Sequence, residues 1–511
     1  MNLLEEHRDG RGSGCGGAVR TAAALAVCAG LLSGCSAVGP DYARPKDPVP
    51  AAFKELGPWR EAAPQDLLAR GSWWEIFNDP ALSEIENRAK KANLGLQVAA
   101  ARLQQAQAIA GISTSFLYPD VSLAPSAARF GVSKTRPDQP SKQAGNVAYV
   151  INDFRVPLYA SYEVDVWGKV HRLVEAADAQ AEATLAAYYT VLLTLEGDIA
   201  QTYFLIRASD EEVRILRENI ELRKRARDFI VARRQGGLSS ELDLVRAQTE
   251  LAFTQAEAEA AAKRRTELEY TLAVLVGAQP EQFHLEERPF EWVLPVVPVG
   301  LPSDLLERRP DIAEAERRLA ARNAEIGVAK SAYFPSIRLT GAVGFESFDL
   351  SQLLNQDSTI WAVGASLWQP VFNGGRIGFD VDRAKAAYAE NLAAYRERIL
   401  RAFQEVESAL AGLRVLAQQA QYQTIALENA SKATDLAMAR YKSGLVAFIE
   451  VIDAQRVSLL ARRQALQVLN TQMLTTVALI KALGGGWSDR TMPGNPTASA
   501  APARVSLRES N

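Results

Sequence analysis

Two different periods of apolar residues run along the chain, and each is kept over a long stretch. Leu185, Leu192, Ile199, Ile206, Val213 and Ile220 recur every seven residues, and so do Leu392, Ile399, Val406, Leu413, Ala420 and Leu427. Sustained heptads predict long helices packed side by side in coiled-coil fashion. A helix from about Ala176 to Arg234 would extend on the order of 85 Å at 1.5 Å per residue, several times an ordinary globular helix. Many intervening positions are alanine, which lets neighbouring helices approach closely.

The second period is two. From Val150 to Val166 the even positions are apolar apart from Asn152, while the odd ones include Asp153, Arg155, Ser161, Glu163 and Asp165. Ile337, Leu339, Val343 and Phe345 alternate with Arg338, Thr340 and Glu346, and Trp361, Val363, Ala365 and Leu367 form another such run. Val121 to Gly131 is a weaker run, interrupted by Pro125. Each predicts a strand with one apolar and one polar face, the edge of a soluble sandwich being the plainer alternative. Four strands cannot close a membrane barrel, because open edges cannot be satisfied in lipid and the smallest barrels need about eight strands. Several copies must therefore share one. Two copies would give a narrow eight-stranded barrel and three would give twelve strands, with the long helices continuing as a tube around the same axis.

The chain also echoes itself. "ARLQQAQAIAGISTSFLYPDVSL" returns as "RRLAARNAEIGVAKSAYFPSIRL", with Gly111 answering Gly327 and Pro119 answering Pro335. "LAAY" occurs at Leu185 and at Leu392, and "GLSSELDLVRAQ" from Gly237 answers "GLVAFIEVIDAQ" from Gly444. Ordered matches of this kind predict a tandem duplication with its seam near Pro289 to Pro302. The expected organisation is a leader (1–34), an extended strap (35–72), a first repeat of helix, two strands and long helical hairpin (73–300), a second such repeat (301–487), and a tail without apolar periodicity (488–511). The stretch from Arg129 to Asn146 would be an extracellular loop, with Phe345 to Ser358 its shorter counterpart.

Composition removes several classes of function. A net charge of −3 gives no basic footprint for nucleic acid. Three scattered histidines lack partners at ligand spacing, so no metal site is expected, and no nucleophile, phosphate loop or acid–base set supports an enzyme. No cysteine follows Cys35, so a chain cut there has no disulfide framework. Thr21 to Leu32 is an apolar run of signal-peptide length, too short to span a bilayer. Leu32-Ser33-Gly34-Cys35 resembles the bacterial lipobox, whose cysteine becomes the acylated first residue, and Ser36 after it favours the outer membrane. A covalent lipid on Cys35 is the only prosthetic group expected.

Five blocks taken together resemble one family. "CSAVGPDYARP", "LPSDLLERRPDIAEAERRLAARNAEIGVAKSAYFPSI", "LWQPVFNGGRI", "RYKSGLVAFIEVIDAQR" and "ALGGGW" are similar to the TolC-like outer-membrane efflux proteins, most closely the OprM-type lipoprotein branch. The resemblance spans Cys35 to about Trp487. It implies a membrane α+β fold: a homotrimer with a 12-stranded β-barrel, four strands per chain, a twelve-helix periplasmic α-barrel and a mixed equatorial belt. It also implies an exit duct of the outer membrane, anchored in its lipid, serving an inner-membrane pump of the resistance-nodulation-division type through a periplasmic adaptor. The same fold serves type I protein secretion, the second transport alternative. A lipid-anchored coiled-coil scaffold is the alternative from another class.

Function should concentrate at the glycine turns Gly236, Gly237 and Gly444, where long helices reverse. Ser240 with Asp243 reads as a capping box opening a return helix. By resemblance, Glu450 and Asp453 line the periplasmic aperture, where three copies would stack two rings of carboxylates. Tyr441 matches a hydroxyl that links neighbouring hairpins, and Asp243 matches an acidic link whose basic partner would stand at Val446. That position is apolar here, so Arg246 or Arg440 becomes the candidate partner.

Overall fold

The computed structural model describes residues 37–46, 50, 52–55, 72–132, 149–289, 293–295, 297 and 308–485. The expected leader, Cys35, much of the strap, the centre of the first loop, most of the Pro-rich seam and the tail lie outside the described residues. The helices are α1 (Pro80–Ala92), α2 (Leu94–Ser115), α3 (Lys169–Gln235), α4 (Glu241–Val276), α5 (Pro310–Ser331), α6 (Arg376–Lys442) and α7 (Phe448–Ala482). The strands are β1 (Asp120–Leu123), β2 (Ser126–Val132), β3 (Tyr149–Val164), β4 (Ser336–Ser347) and β5 (Thr359–Trp368). The helices carrying the heptads, α3 and α6, are 67 residues each, and their return helices α4 and α7 are 36 and 35. Among the described residues no helix is long and apolar enough to cross a membrane.

Two compact units divide the chain, and each draws on both halves. One takes the N-terminal stretch to Ala43 with residues 107–179 and 319–390; the other takes 44–106, 180–318 and 391 onward. The division at the Pro-rich seam follows chain order, whereas each of these units gathers segments from both sides of that seam.

The first unit holds the sheet. β1 and β2 both pair with β3, β3 pairs with β4 and β4 with β5, all antiparallel. Four ribbons were expected, and the first is split into β1 and β2 at Ala124-Pro125. Its register does not shift across the break, since Leu123 faces Leu158 and Ser126 faces Arg155. The ladder lapses because Pro125 and Pro157 both lack an N–H, leaving the Ala124 N–H to the Pro157 carbonyl at 3.1 Å. Register also brings the alternating patterns onto one surface. Val121 and Leu123, then Leu158 and Ala160, then Gly341 and Val343, then Trp361 and Val363 lie side by side across the sheet. The opposite surface carries Arg155 bonded to Glu346 at 2.8 Å and Lys169 bonded to Glu163 at 2.9 Å. Neither β1 nor β5 has a second neighbour among the described residues, so both edges are open.

The N-terminal segment is clasped into this unit. The Val38 N–H donates to the Trp167 carbonyl at 2.9 Å, the Asn323 amide to the Pro40 carbonyl at 2.8 Å, and the buried Arg172 to Asp41 at 2.7 Å. Gly39 crosses Gly327 so closely that a Cβ on Gly39 would lie 2.5 Å from the Gly327 Cα. Gly327→Ala would set a methyl 2.6 Å from the Val38 carbonyl oxygen, an overpacking cost of about 1–3 kcal/mol. Trypsin is expected to cut after Lys46 faster in that variant, and an equal rate would show that the clasp tolerates the methyl.

The second unit holds the helical core. Trp73, Trp74, Leu82, Ile199, Tyr203, Phe204, Leu272, Val477 and Ile480 pack into one buried cluster, in which the α3 heptads supply Ile199 and Ile206. Further along, Val213 and Leu216 of α3 meet Ala258 and Ala261 of α4 and Leu459 and Leu466 of α7. On α6 the apolar pattern outruns the packing, for Val415, Tyr422, Ile425 and Leu436 stand more than half exposed.

Candidate functional site: the tips of the helical hairpins

Both turns end their long helix the same way. Gly237 and Gly444 sit at φ +72° and +74°, with no atom within 4 Å of where a Cβ would lie. The glycines are therefore needed for their backbone rather than for space. The Leu238 N–H reaches back to the Arg233 carbonyl at 2.8 Å and the Gly237 N–H to Arg234 at 2.9 Å. Leu445 and Gly444 reach Arg440 and Tyr441 at 2.9 and 3.0 Å. These are paired Schellman caps, and they satisfy carbonyls the helices would leave open.

The return helices start differently. Ser240 Oγ accepts the Asp243 N–H at 3.1 Å, while the Asp243 carboxylate accepts the Ser240 N–H at 3.4 Å and the Ser239 hydroxyl at 3.3 Å. This is the capping box expected from sequence. It occupies Asp243 within its own hairpin. α7 has Ala447 at the equivalent place and no side-chain cap.

An apolar and aromatic knot joins the two tips. Ile230 and Ala226 of α3 and Ala247 of α4 pack with Tyr441, Phe448, Val451 and Ile452, and Val446 and Phe229 press against them. The Tyr441 ring lies 5.2 Å from that of Phe448 and 6.3 Å from that of Phe229. Arg233 sits over the rings of Tyr441 at 5.3 Å and Phe229 at 5.8 Å, and its Nη1 points to the Lys442 carbonyl at 3.5 Å. Within one chain the Tyr441 ring packs against both hairpins, whereas Asp243, Arg246 and Arg440 make no ion pair among the described residues. Val446 belongs to the knot as an apolar contact. A cation over an aromatic face contributes about 0.5–2 kcal/mol, more when desolvated.

Behind the knot runs a ladder of ion pairs that sequence inspection missed. Glu250 of α4 is buried between Arg223 of α3 at 2.6 Å and Arg456 of α7. Burial alone raises its carboxyl, but the hydrogen bond from Arg456 and the charge of Arg223 hold it below the ordinary carboxylate range. Glu212 takes Arg463 and Arg264 at 2.7 Å each and is lowered in the same manner. Arg462 meets Glu218 at 3.3 Å. Arg456, Arg462 and Arg463 thus tie α7 to the first hairpin. The only signal in the sequence is their position beside apolar heptad residues, which a solvated helix face shares.

Glu450 stands outside this network, and Asp453 touches its edge through Arg456. Both are exposed on the first turns of α7, and Asp453 comes no nearer than 3.8 Å to Arg456. Three residues apart, they share a helix face. No group of His, Cys, Asp and Glu among the described residues could hold a metal ion. What the tips offer is mechanical and electrostatic: a clasp of apolar and stacked groups, with two exposed carboxylates beside it.

OpmQ of Pseudomonas aeruginosa, a pyoverdine export outer membrane protein, is 33% identical, and the match covers 90% of this chain and 97% of that one. SrpC of Pseudomonas putida, a solvent efflux pump outer membrane protein, is 32% identical over 90% of this chain and 97% of its own. The solved structure of the outer-membrane channel OprN superposes with a TM-score of 0.80 at 29% identity, covering 88% of this chain and 99% of that one. Residues 86–278 and 301–485 both match the outer membrane efflux protein family, and the chain belongs to that family as an efflux channel of the outer membrane.

Proposed function

We propose that three copies close a 12-stranded barrel and a twelve-helix tunnel, forming the passive exit duct of a tripartite pump. The observation that carries this reading is the sheet with one continuous apolar face and two open edges. In lipid such edges need strands from other copies. The exposed apolar residues of α6 support the same conclusion for the helices. An inner-membrane pump of the resistance-nodulation-division type and a periplasmic adaptor are the partners, and toxic small molecules the cargo; the pump named in the SrpC description supports this choice over protein secretion. Acylated Cys35 anchors each copy. The matching lengths of α3 and α6 support a tandem repeat. The native mass of detergent-extracted protein tests the assembly: three copies are expected, and a single-copy particle would end the proposal.

Glu450 and Asp453 would ring the periplasmic end of the duct. Crowded carboxylates attract cations and repel anions, so Glu450→Ala with Asp453→Ala is expected to lower cation preference in planar-bilayer recordings. Unchanged selectivity would remove both from the aperture. Arg233 holds the tips together. Arg233→Gln is expected to raise the open-to-closed ratio about two- to thirty-fold per clasp, and Arg233→Lys, which keeps the charge but not the plane, should recover only part of the closure. Equal behaviour of all three chains would mean that the clasp does not hold the tips.

A further inference from the structure

The foot of the sheet repeats a small motif, and only one of its two instances is filled. Where β3 runs down into α3 the chain reads Val166-Trp167-Gly168-Lys169; where β5 runs down into α6 it reads Val371-Phe372-Asn373-Gly374-Gly375-Arg376. Where α5 turns up into β4 the chain has Phe334-Pro335; where α2 turns up into β1 it has Tyr118-Pro119. In the filled instance β3 pairs with β4, and Trp167 stacks on Phe334 with ring centroids 4.7 Å apart and planes at 25°. In the other, Phe372 is 92% exposed, Val371 96% and Tyr118 68%. Both exposed stretches are held in place. Tyr118 closes a turn through its N–H to the Ser115 carbonyl at 3.1 Å, and Gln369 reaches the Tyr333 carbonyl at 3.2 Å. They lie at opposite edges of one sheet and at the same end of it, each next to a strand with unpaired backbone.

We propose that Phe372 of one copy stacks on Tyr118 of the next, as Trp167 does on Phe334 within the chain, and that this sets the register in which β5 meets β1. Carrying the β3–β4 register over to the motif's second instance puts Leu367 opposite Leu123 and Val363 opposite Ala127. The face test is met. Leu123 neighbours Leu158, and Leu367 neighbours Ile337, all on the apolar surface. A slip of one residue would turn one of the two strands inside out. The occupant is a second copy rather than lipid because the same groups sit beside unpaired strand backbone, which lipid cannot satisfy. This rests on the proposal that copies share one barrel.

Cysteine pairs test it, for the sequence has no cysteine after Cys35. Leu367→Cys with Leu123→Cys, and separately Phe372→Cys with Tyr118→Cys, are introduced into the full chain and oxidised in membranes. Both are expected to give a reducible ladder of two and three copies that the parent chain lacks. Leu367→Cys with Val121→Cys, two residues off on the same face, should cross-link at least tenfold more slowly. A faster ladder from this slipped pair would overturn the register and leave the shared barrel standing. No ladder from any pair, in protein that still extracts as three copies, would overturn the contact itself. A single-copy particle would instead overturn the shared barrel.

Discussion

Arg265→Ala is expected to destabilise the second unit by about 3–5 kcal/mol, far more than any exposed charge on the same helix. The Arg265 guanidinium is 8% exposed; its Nε meets Asp210 at 2.9 Å, and its other nitrogens bond Glu269 and the Leu285 carbonyl. Arg207, 1% exposed, takes the second oxygen of Asp210 at 2.8 Å and the Glu286 carbonyl at 2.8 Å, while Glu269 accepts the Leu285 N–H at 2.6 Å. Together these clip the segment after α4 against α3 and α4. Alanine would leave two buried carboxylates sharing too few donors, and the penalty is that of stranded charge rather than of a lost contact. Lys263 and Glu267 form the comparison, an i,i+4 pair on α4 with side chains 76% and 58% exposed. Lys263→Ala should cost at most about 0.5 kcal/mol. Unfolding rates followed by helical circular dichroism suit an assembly that does not refold readily. Similar rates for the two variants would show that the network contributes little.

That contrast also marks where sequence stops being readable. Period seven and period two survive in the chain because each records one face of one element, so α3, α6 and the β3–β5 alternation could be read directly. So could Gly237, Gly444 and the capping box at Ser240, which are local. Charge pairing is not local. Arg456 and Lys263 look alike in sequence, and only the arrangement of α3, α4 and α7 makes one a tie to the buried Glu250 and the other a solvated side chain. Glu86 shows the same limit. It stands in an amphipathic helix where a carboxylate reads as surface, yet it is fully buried, and burial with the nearby Glu196 charge pushes its carboxyl well above the ordinary range. Val446 announced that a basic partner was missing. The contact found between the tips, Arg233 over Tyr441, joins residues more than two hundred apart in the chain and had no motif to reveal it.

Val363→Arg should prevent the chain from assembling in the outer membrane, whereas Ala362→Arg should assemble. The two positions are neighbours in the middle of β5, at one depth and on opposite faces. Val363 stands opposite Gly341 on the apolar surface, and Ala362 opposite Ala342 on the surface that carries Arg155 and Glu346. An arginine facing lipid near the midplane of a barrel costs about 2–4 kcal/mol. In a barrel shared by three copies that cost falls three times on one assembly, comparable with the whole stability of an ordinary domain. An arginine at Ala362 would instead reach the watery interior, and a small residue opposite leaves room for it. The measurement is the fraction of each variant recovered from outer membranes as urea-resistant, multi-copy protein. A one-residue shift that turns failure into success is expected of a sheet with an apolar setting on one side and water on the other. A sheet wetted on both faces, or buried on both, would treat the two arginines alike, and that result would remove the membrane barrel from this fold.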